Sequence, residues 1–261
     1  MSANGRAAGA TASAPAGGAT RFNEELYDQF WADCPDFSRY NPGARHRRRI
    51  ITEIVSGLPG RSLLDVGCGN GELLLWLQQA VPRLGPLAGA DLSSETVRKN
   101  AERLPHIAFH TLDVAKQALP SRHEIVVCSE VVEHIDDRAA AFANLAAMVE
   151  PGGHLLVTCP TGHVYETEKT FGHVSHPTTD EMVRLGAGAG LSHLRSENWG
   201  FPLYKAMKWA TNVNASFALK NFASGRYSPA AKLVSNALYW ANWLNLPSSQ
   251  AGCQLFSLFR K

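Results

Sequence analysis

The sequence predicts an α/β fold in which helices cover both faces of a mostly parallel sheet. From residue 62 onward, short apolar runs alternate with amphipathic helical stretches, which is the pattern of successive βαβ units. A glycine-rich loop follows the first apolar run, and acidic residues mark the ends of the first three runs. The 261 residues, 45% of them hydrophobic, suffice for one sizeable core.

The predicted elements follow one another along the chain in alternating order. Strands are expected at 62–66, 87–91, 107–111, 124–128, 153–158, 194–199 and 253–259. Helices are expected at 44–56, 72–80, 94–104, 139–148 and 179–187. A mostly helical insertion is expected at 203–246, between the last two strands, and its pattern is amphipathic.

Composition narrows the class of protein. Residues 1–21 are predicted to form a flexible tail without the apolar core of a signal peptide, and 22–261 to form one domain with the insertion 203–246. Five cysteines without C-x-x-C spacing favour a reducing compartment, and no apolar run is long enough to span a membrane. We therefore expect a cytoplasmic protein. A net charge of +2 makes a nucleic-acid partner unlikely.

The glycine loop Asp65-Val66-Gly67-Cys68-Gly69-Asn70-Gly71 follows the first strand, where open α/β sheets bind ligands. Glycines permit positive φ and close approach of a ligand to the backbone. The fingerprint of dinucleotide-binding loops requires a small residue at the position where this chain has Glu72, so the loop is poorly suited to binding a pyrophosphate. Asp65 can instead receive an ammonium group.

Two further carboxylates complete the predicted cofactor site. Asp91 ends the second strand and can accept both ribose hydroxyls, while Asp113 follows the third and can accept the adenine amine. Their apolar neighbours Leu92 and Val114 can sandwich the ring. An adenosine with an amine and a carboxylate but no pyrophosphate is S-adenosylmethionine (SAM). Each aspartate taken singly is also consistent with a helix cap or a turn.

These motifs, with 128–135 and the strand after Pro151-Gly152-Gly153, resemble class I SAM-dependent methyltransferases. The resemblance implies a Rossmann-like sheet of seven strands whose last strand is antiparallel and inserts beside the fifth. It also implies SAM as the cofactor. The predicted cofactor contacts are Arg45, Asp65, Gly67, Cys68, Gly69, Gly71, Asp91, Leu92, Asp113, Val114, Ser129 and Glu130.

The segment 130–134 is most similar to ubiquinone-biosynthesis O-methyltransferases and to small-RNA 2′-O-methyltransferases. Arg45 enters through a second similarity, because 41–45 resembles an arginine-bearing segment of the ubiquinone group in which the arginine touches SAM. The spacing differs by one residue.

A metal site is a further expectation. Glu130, Glu133 and His134 have i, i+3, i+4 spacing, which places them on one face of a helix. In the two resembling groups, matching residues bind a divalent cation, and His173 or His176 can supply a fourth ligand. Many methyltransferases of this superfamily carry a similar stretch without a metal; there Glu130 would contact the cofactor or cap a helix, and His134 would act as a base or pack. Without a metal, His134, His173 and His176 are the candidate catalytic bases.

The predicted function is methyl transfer to a small-molecule acceptor, with a hydroxyl oxygen as the expected atom. Alternatives are RNA 2′-O-methylation, N-methylation of a small molecule, and a non-catalytic SAM-binding protein. The insertion 203–246 is expected to cap the pocket, to form a homodimer surface or to contact a membrane peripherally. Alternatively, it only adds helices to the sheet.

Overall fold

A computed structural model describes residues 36–214 and 226–261, so the tail predicted at 1–21 lies outside the described residues. Its strands are β1 (Leu63–Val66), β2 (Leu87–Asp91), β3 (Ala108–Thr111), β4 (His123–Ser129), β5 (Val149–Pro160), β6 (Ser192–Trp199) and β7 (Gln254–Arg260). They form one seven-stranded sheet in the order β3-β2-β1-β4-β5-β7-β6. β7 is antiparallel to both β5 and β6, and the other pairings are parallel. The predicted fold class is therefore confirmed.

The helices follow the predicted order. They are α1 (Phe37–Tyr40), α2 (Pro42–Ser56), α3 (Glu72–Ala80), α4 (Ser94–Arg103), α5 (Arg138–Met148), α6 (Glu166–Thr170), α7 (Thr179–Gly188), α8 (Leu203–Val213) and α9 (Pro229–Ala241), with 3₁₀ turns at Val132–His134 and Asn242–Leu244. None of the helices in 36–214 and 226–261 is both long and apolar enough to cross a bilayer.

Two boundaries differ from the predictions for identifiable reasons. Helix α2 begins two residues earlier than expected, because the Asn41 side chain accepts a hydrogen bond from the Ala44 N–H at 3.0 Å and caps a helix that begins with proline. Strand β5 begins at Val149 rather than at 153. Gly152 lies within the strand and adopts a φ of 80°. Because Pro151 and Gly152 are typical of turns, the sequence places the start of the strand after them.

The core lies on both faces of the sheet. Successive residues of a strand point to opposite faces, so Leu63 packs in one buried cluster and Leu64 in the other. The cluster around Leu64 includes Phe142 of α5, and the cluster around Leu63 includes Leu74 of α3. With both faces covered, the sheet leaves the carboxyl ends of its parallel strands as the place for a ligand.

Candidate active site

A cavity of about 510 Å³ opens at the carboxyl ends of the parallel strands. Strands β1, β2, β3 and β4 supply its floor through the residues that follow them, and α1 and α2 supply one wall. Its lining includes most of the predicted cofactor contacts: Asp65, Gly67, Cys68, Gly69, Asp91, Leu92, Asp113, Val114, Ser129 and Glu130. The candidate bases His134 and His173 line the same cavity.

The glycine loop has the left-handed backbone that its sequence predicts. Gly67, Gly69 and Gly71 have φ values of 78°, 49° and 71°. A Cβ on Gly67 would collide with the side chain of Val131, so this position excludes every larger residue. The N–H groups of Gly67 and Cys68 donate to the carbonyl of Ala90 at 2.8 and 3.0 Å, which ties the loop to the end of β2.

Asp91 holds two loops together from the end of β2. Its carboxylate accepts hydrogen bonds from the N–H of Gly69 at 2.8 Å and from the N–H of Ser93 at 3.0 Å. The buried Asn100 side chain donates to the Gly69 carbonyl at 2.6 Å. No sequence signal marks Asn100, which lies nine residues beyond Asp91 inside helix α4.

Asp65 is a buried carboxyl group whose environment is incomplete. Its Oδ1 has no hydrogen-bond partner among the residues that the structure describes. Burial, followed by the neighbouring charge of Asp91, raises the pKa of Asp65 to about 7. A cation against this carboxylate would supply the missing partner and favour ionisation. The residue therefore fits the ammonium group of SAM.

Asp113 is both a turn residue and part of the cavity lining, which are the two roles that the sequence left open. Its Oδ1 accepts a hydrogen bond from the Ala115 N–H at 3.1 Å, as a turn residue does, and Oδ2 pairs with Lys116 Nζ at 2.8 Å. It also lines the cavity together with Leu92 and Val114. A turn that fixes the carboxylate is compatible with ligand binding at the same place.

Glu130 is the junction between the cavity and three other elements. It is the one non-glycine residue with positive φ, 60°, in the described part of the chain. Its carboxylate accepts hydrogen bonds from Arg47 of α2 at 3.0 Å and from Gln254 of β7 at 2.8 Å. Thr158 of β5 adds a contact at 3.3 Å. Strained backbone of this kind is common at functional sites.

Arg45 does not take the place that its similarity predicts. Its guanidinium donates to the Asn236 side chain at 2.8 Å and lies 3.7 Å from the ring centroid of Tyr239, both on α9. Arg47 and Arg48 line the cavity instead. Two residues along a helix turn through about 200°, so Arg45 and Arg47 necessarily face different ways. Neither Arg47 nor Arg48 is among the predicted cofactor contacts, because a run of basic residues on a helix is most often a solvated face.

The helix expected at 130–134 is only a 3₁₀ turn, Val132–His134, and Glu130 precedes it. The three residues therefore do not share a helical face. Glu133 and His134 instead meet His173, which arrives from the loop after α6, and the three can hold a metal ion. His134 Nε2 lies 4.0 Å from Glu133 Oε1, and the His134 and His173 rings are 4.6 Å apart.

Glu133 is the most unusual group of this cluster. It is fully buried, and neither carboxylate oxygen has a hydrogen-bond partner within 36–214 and 226–261. Burial, followed by the nearby charge of Glu130, raises the pKa of Glu133 well above its ordinary value. Orphaned carboxylate oxygens beside two imidazoles form a donor set suited to a divalent transition metal. The residues present therefore fit the predicted cation.

His176 lies behind the cluster rather than in the cavity lining. Its Nε2 is 3.0 Å from His173 Nδ1 and 3.7 Å from a carboxylate oxygen of Glu168. Glu168 also pairs with Lys208 of α8 at 2.6 Å. Burial, followed by the charges of His134 and His176, lowers the pKa of His173 to about 2, so its imidazole is neutral at physiological pH.

Fold and site together define a class I methyltransferase. A family model described as "Methyltransferase domain" matches residues 42–205, and the chain belongs to that family. The enzyme class predicted from the sequence, a SAM-dependent methyltransferase, is thereby confirmed.

Several known proteins are similar to this chain. The ubiquinone biosynthesis O-methyltransferase of Cupriavidus pinatubonensis is 32% identical over 194 residues, which cover 65% of this chain and 76% of that protein. An uncharacterized 37.1 kDa protein in transposon TN4556 of Streptomyces fradiae is 31% identical, and the match covers 55% of this chain but only 44% of that protein.

A solved structure supports the fold. The N-methyltransferase NodS from Bradyrhizobium japonicum WM9, in complex with S-adenosyl-L-homocysteine, aligns with a TM-score of 0.56 and 17% identity. The alignment covers 92% of this chain and 98% of that one. At this identity the likeness concerns the architecture and not the acceptor.

Proposed function

We propose that this protein transfers the methyl group of SAM to a hydroxyl oxygen of a small molecule. The observation that carries the proposal is the cluster Glu133, His134 and His173, placed beside the cavity that holds the cofactor residues. The similarity to O-methyltransferases such as that of Cupriavidus pinatubonensis supports oxygen as the acceptor atom.

The cofactor half of the cavity orients the methyl donor. Asp65 would pair with the ammonium group, since its buried Oδ1 needs a partner. Asp91 and Asp113 would receive the ribose hydroxyls and the adenine amine, with Leu92 and Val114 against the ring. The sulfonium would then lie near Ser129 and Glu130, at the end of β4, where the acceptor cluster begins.

The acceptor half of the cavity combines polar groups with rings. Phe171 and Tyr204 line it and offer apolar surface to a ring-bearing acceptor. Burial raises the pKa of Tyr204 to about 12, so its phenol remains a hydrogen-bond donor at neutral pH. Arg47, paired with Glu130, closes the side formed by α2.

The reaction is an in-line displacement. The acceptor oxygen forms a bond to the methyl carbon, the carbon–sulfur bond breaks, its electron pair stays on sulfur, and S-adenosylhomocysteine leaves. The hydroxyl proton must depart, and in the absence of a cation the neutral imidazole of His134, which lines the cavity, is positioned to receive it. Holding donor and acceptor in line contributes up to about 7–11 kcal/mol to the rate enhancement.

Glu133, His134 and His173 would also hold a divalent cation. Such a cation, when bound, lowers the pKa of a coordinated hydroxyl and orients it. The two neutral imidazoles are in the protonation state that ligation requires, and Glu133, whose pKa burial raises, would release its proton when the cation binds.

Methyl-labelled SAM and matched acceptors test the proposal. Purified protein is incubated with ortho-dihydroxy aromatic compounds and with the corresponding aromatic amines, and the products are identified by mass spectrometry. We expect methyl ethers. Methylation confined to nitrogen would overturn the assignment to oxygen, and SAM binding without turnover on any acceptor would indicate a non-catalytic protein.

Chelation tests the metal separately. Dialysis against EDTA should lower turnover by about 100-fold or more while leaving the affinity for SAM unchanged, and added Mn²⁺ or Mg²⁺ should restore it. Glu133→Gln should lose bound metal, whereas Glu168→Gln, in the neighbouring cluster, should retain it. Full activity in EDTA would contradict the metal and leave His134 as the base.

A further inference from the structure

Helix α9 exposes a stripe of apolar side chains at its surface. Its outward stripe at helical spacing consists of Leu233, Ala237, Trp240 and, in the following turn, Leu244, and all four are exposed. The exposed fractions of Leu233, Trp240 and Leu244 are 72%, 66% and 76%. Single exposed apolar residues are ordinary, but a continuous stripe of them marks a surface that binds something.

The inward face of the same segment carries polar groups beside Tyr239, whose ring packs on His46 and Arg45 of α2. Ser235, Asn242 and Asn245 are buried. The Asn245 side chain accepts hydrogen bonds from the N–H groups of Leu203 and Tyr204 at 2.7 and 3.1 Å, so it caps helix α8. Hydrogen bonds therefore satisfy buried polar groups of the insertion, and its exposed apolar side chains remain available to bind a partner.

Helix α8 repeats the arrangement. Leu203, Trp209 and Val213 are exposed on it, while Lys208 turns inward to pair with Glu168. Trp243, in the turn after α9, is also half exposed. Exposed tryptophans are typical of the boundary between water and lipid, where an amphipathic ring suits both phases.

The charge of the insertion indicates which kind of partner its exposed surface would bind. Residues 203–246 contain five cations, Lys205, Lys208, Lys220, Arg226 and Lys232, and no aspartate or glutamate. Lys205 and Arg226 are exposed, Lys208 and Lys232 form ion pairs with Glu168 and Asp36, and Lys220 lies outside the described residues. Two copies of this chain packed on the face would bring like charges together, whereas an anionic surface would attract them.

We propose that the exposed faces of α8 and α9, named here the docking face, bind the anionic surface of a lipid bilayer. Trp240 and Leu244 enter the acyl boundary, and Lys205 and Arg226 meet the headgroups. The mode is interfacial, with the helices lying in the plane of the membrane. Tyr204, on α8, lines the cavity, so docking places the acceptor half of the site close to the bilayer.

Vesicle co-sedimentation of the full chain tests the docking face. Mixed vesicles of phosphatidylcholine and phosphatidylglycerol are compared with phosphatidylcholine alone, at low and high sodium chloride. Wild type should bind the mixed vesicles more tightly, and salt should weaken that preference. Trp240→Glu should bind at least about tenfold more weakly. Trp76→Glu is the matched control, because Trp76 is 50% exposed on helix α3, outside the insertion.

A second variant keeps the test independent of folding. The double change Lys205→Gln and Arg226→Gln removes exposed cations and should weaken binding to mixed vesicles by about fivefold per residue. Binding to phosphatidylcholine alone should not change. SAM affinity, measured by calorimetry, should be equal in all the proteins and reports that each is folded.

Four outcomes would overturn the proposal. Wild type that fails to bind mixed vesicles excludes a lipid partner. Trp240→Glu that binds as tightly as Trp76→Glu excludes this face. A wild-type dimer that Trp240→Glu converts to a monomer, without vesicle binding, assigns the face to a second copy. A lowered melting temperature for Trp240→Glu, without vesicle binding, shows that the face packs against another part of the same chain.

Discussion

The edge of the sheet that forms the cofactor site differs from the insertion 203–246 in what determines its residue types. At the sheet edge, backbone geometry dictates residue type, as at Gly67, where the side chain of Val131 leaves no room for a Cβ. In the insertion, buried asparagines fix the helices, and Leu233, Trp240 and Leu244 keep most of their surface exposed. The first region is specified from within the protein, whereas the second has an outer face that only a partner would explain.

The largest expected effect comes from a substitution in the cofactor site. Gly67→Ala adds a Cβ that collides with Val131 at a φ of 78°. The loop must shift, so SAM affinity should fall by about 100-fold or more, which corresponds to about 3 kcal/mol. Isothermal titration calorimetry measures this loss.

Gly152→Ala is the control for Gly67→Ala. Gly152 has a similar φ of 80°, but a Cβ there meets nothing within 4 Å. It should cost about 1 kcal/mol of folding stability and leave SAM affinity unchanged. Equal SAM affinity in the two variants would show that the collision at Gly67 is harmless.

An intermediate effect depends on pH. Burial raises the pKa of Asp65 from its usual value near 4 to about 7, so the folded protein without ligand holds a proton there between those values. The contribution of Asp65 to stability is complete below pH 4 and is lost as the pH rises through about 7. Ionised Asp65 binds an ammonium group, so SAM affinity should rise about tenfold from pH 6 to pH 8.

Asp65→Asn supplies the comparison for this pH dependence. The amide cannot ionise, so the variant should bind SAM weakly at every pH and without the rise. Its stability near pH 8 should exceed that of the wild type, because the buried charge is gone. A wild-type affinity that does not change between the two pH values would contradict the role of Asp65.

The smallest expected effect on the cofactor comes from the insertion. Asn245→Ala removes a buried cap, leaves two N–H groups of α8 unpaired, and should cost about 1–3 kcal/mol of stability. Leu244→Ala, the exposed neighbour, should change stability by less than about 0.5 kcal/mol. SAM affinity should be the same in both. Altered SAM affinity in Asn245→Ala would show that the two regions are coupled.

The same contrast explains what the sequence could predict. Asp91 and Asp113 could be placed because strand periodicity and the glycine loop fix where the carboxyl ends meet. His173 was recognised as a candidate ligand, but its meeting with Glu133 depends on a loop that no periodicity describes. The helical spacing proposed for Glu130 failed because that residue adopts a positive φ before a short turn.

Arg45 and helix α9 show a second kind of limit. A similarity in a neighbouring segment selected Arg45, although a single residue of offset turns a helical side chain through about 100°. For α9, the amphipathic pattern was visible, but a pattern does not say which of its faces points inward. Only the contacts of Asn245 and the exposure of Trp240 decide that question.

The cap formed by Asn245 also closes the base of the insertion. It joins residues 42 positions apart in the chain, and the Leu246 N–H donates to the Phe201 carbonyl at 2.8 Å. With the base closed, doubling the length of the enclosed chain would cost only about 0.6 kcal/mol of closure entropy. Changes in the length of the segment between these two residues would therefore cost little in closure entropy, provided that the contacts of Tyr204, Lys208 and Asn236 with the catalytic domain are kept.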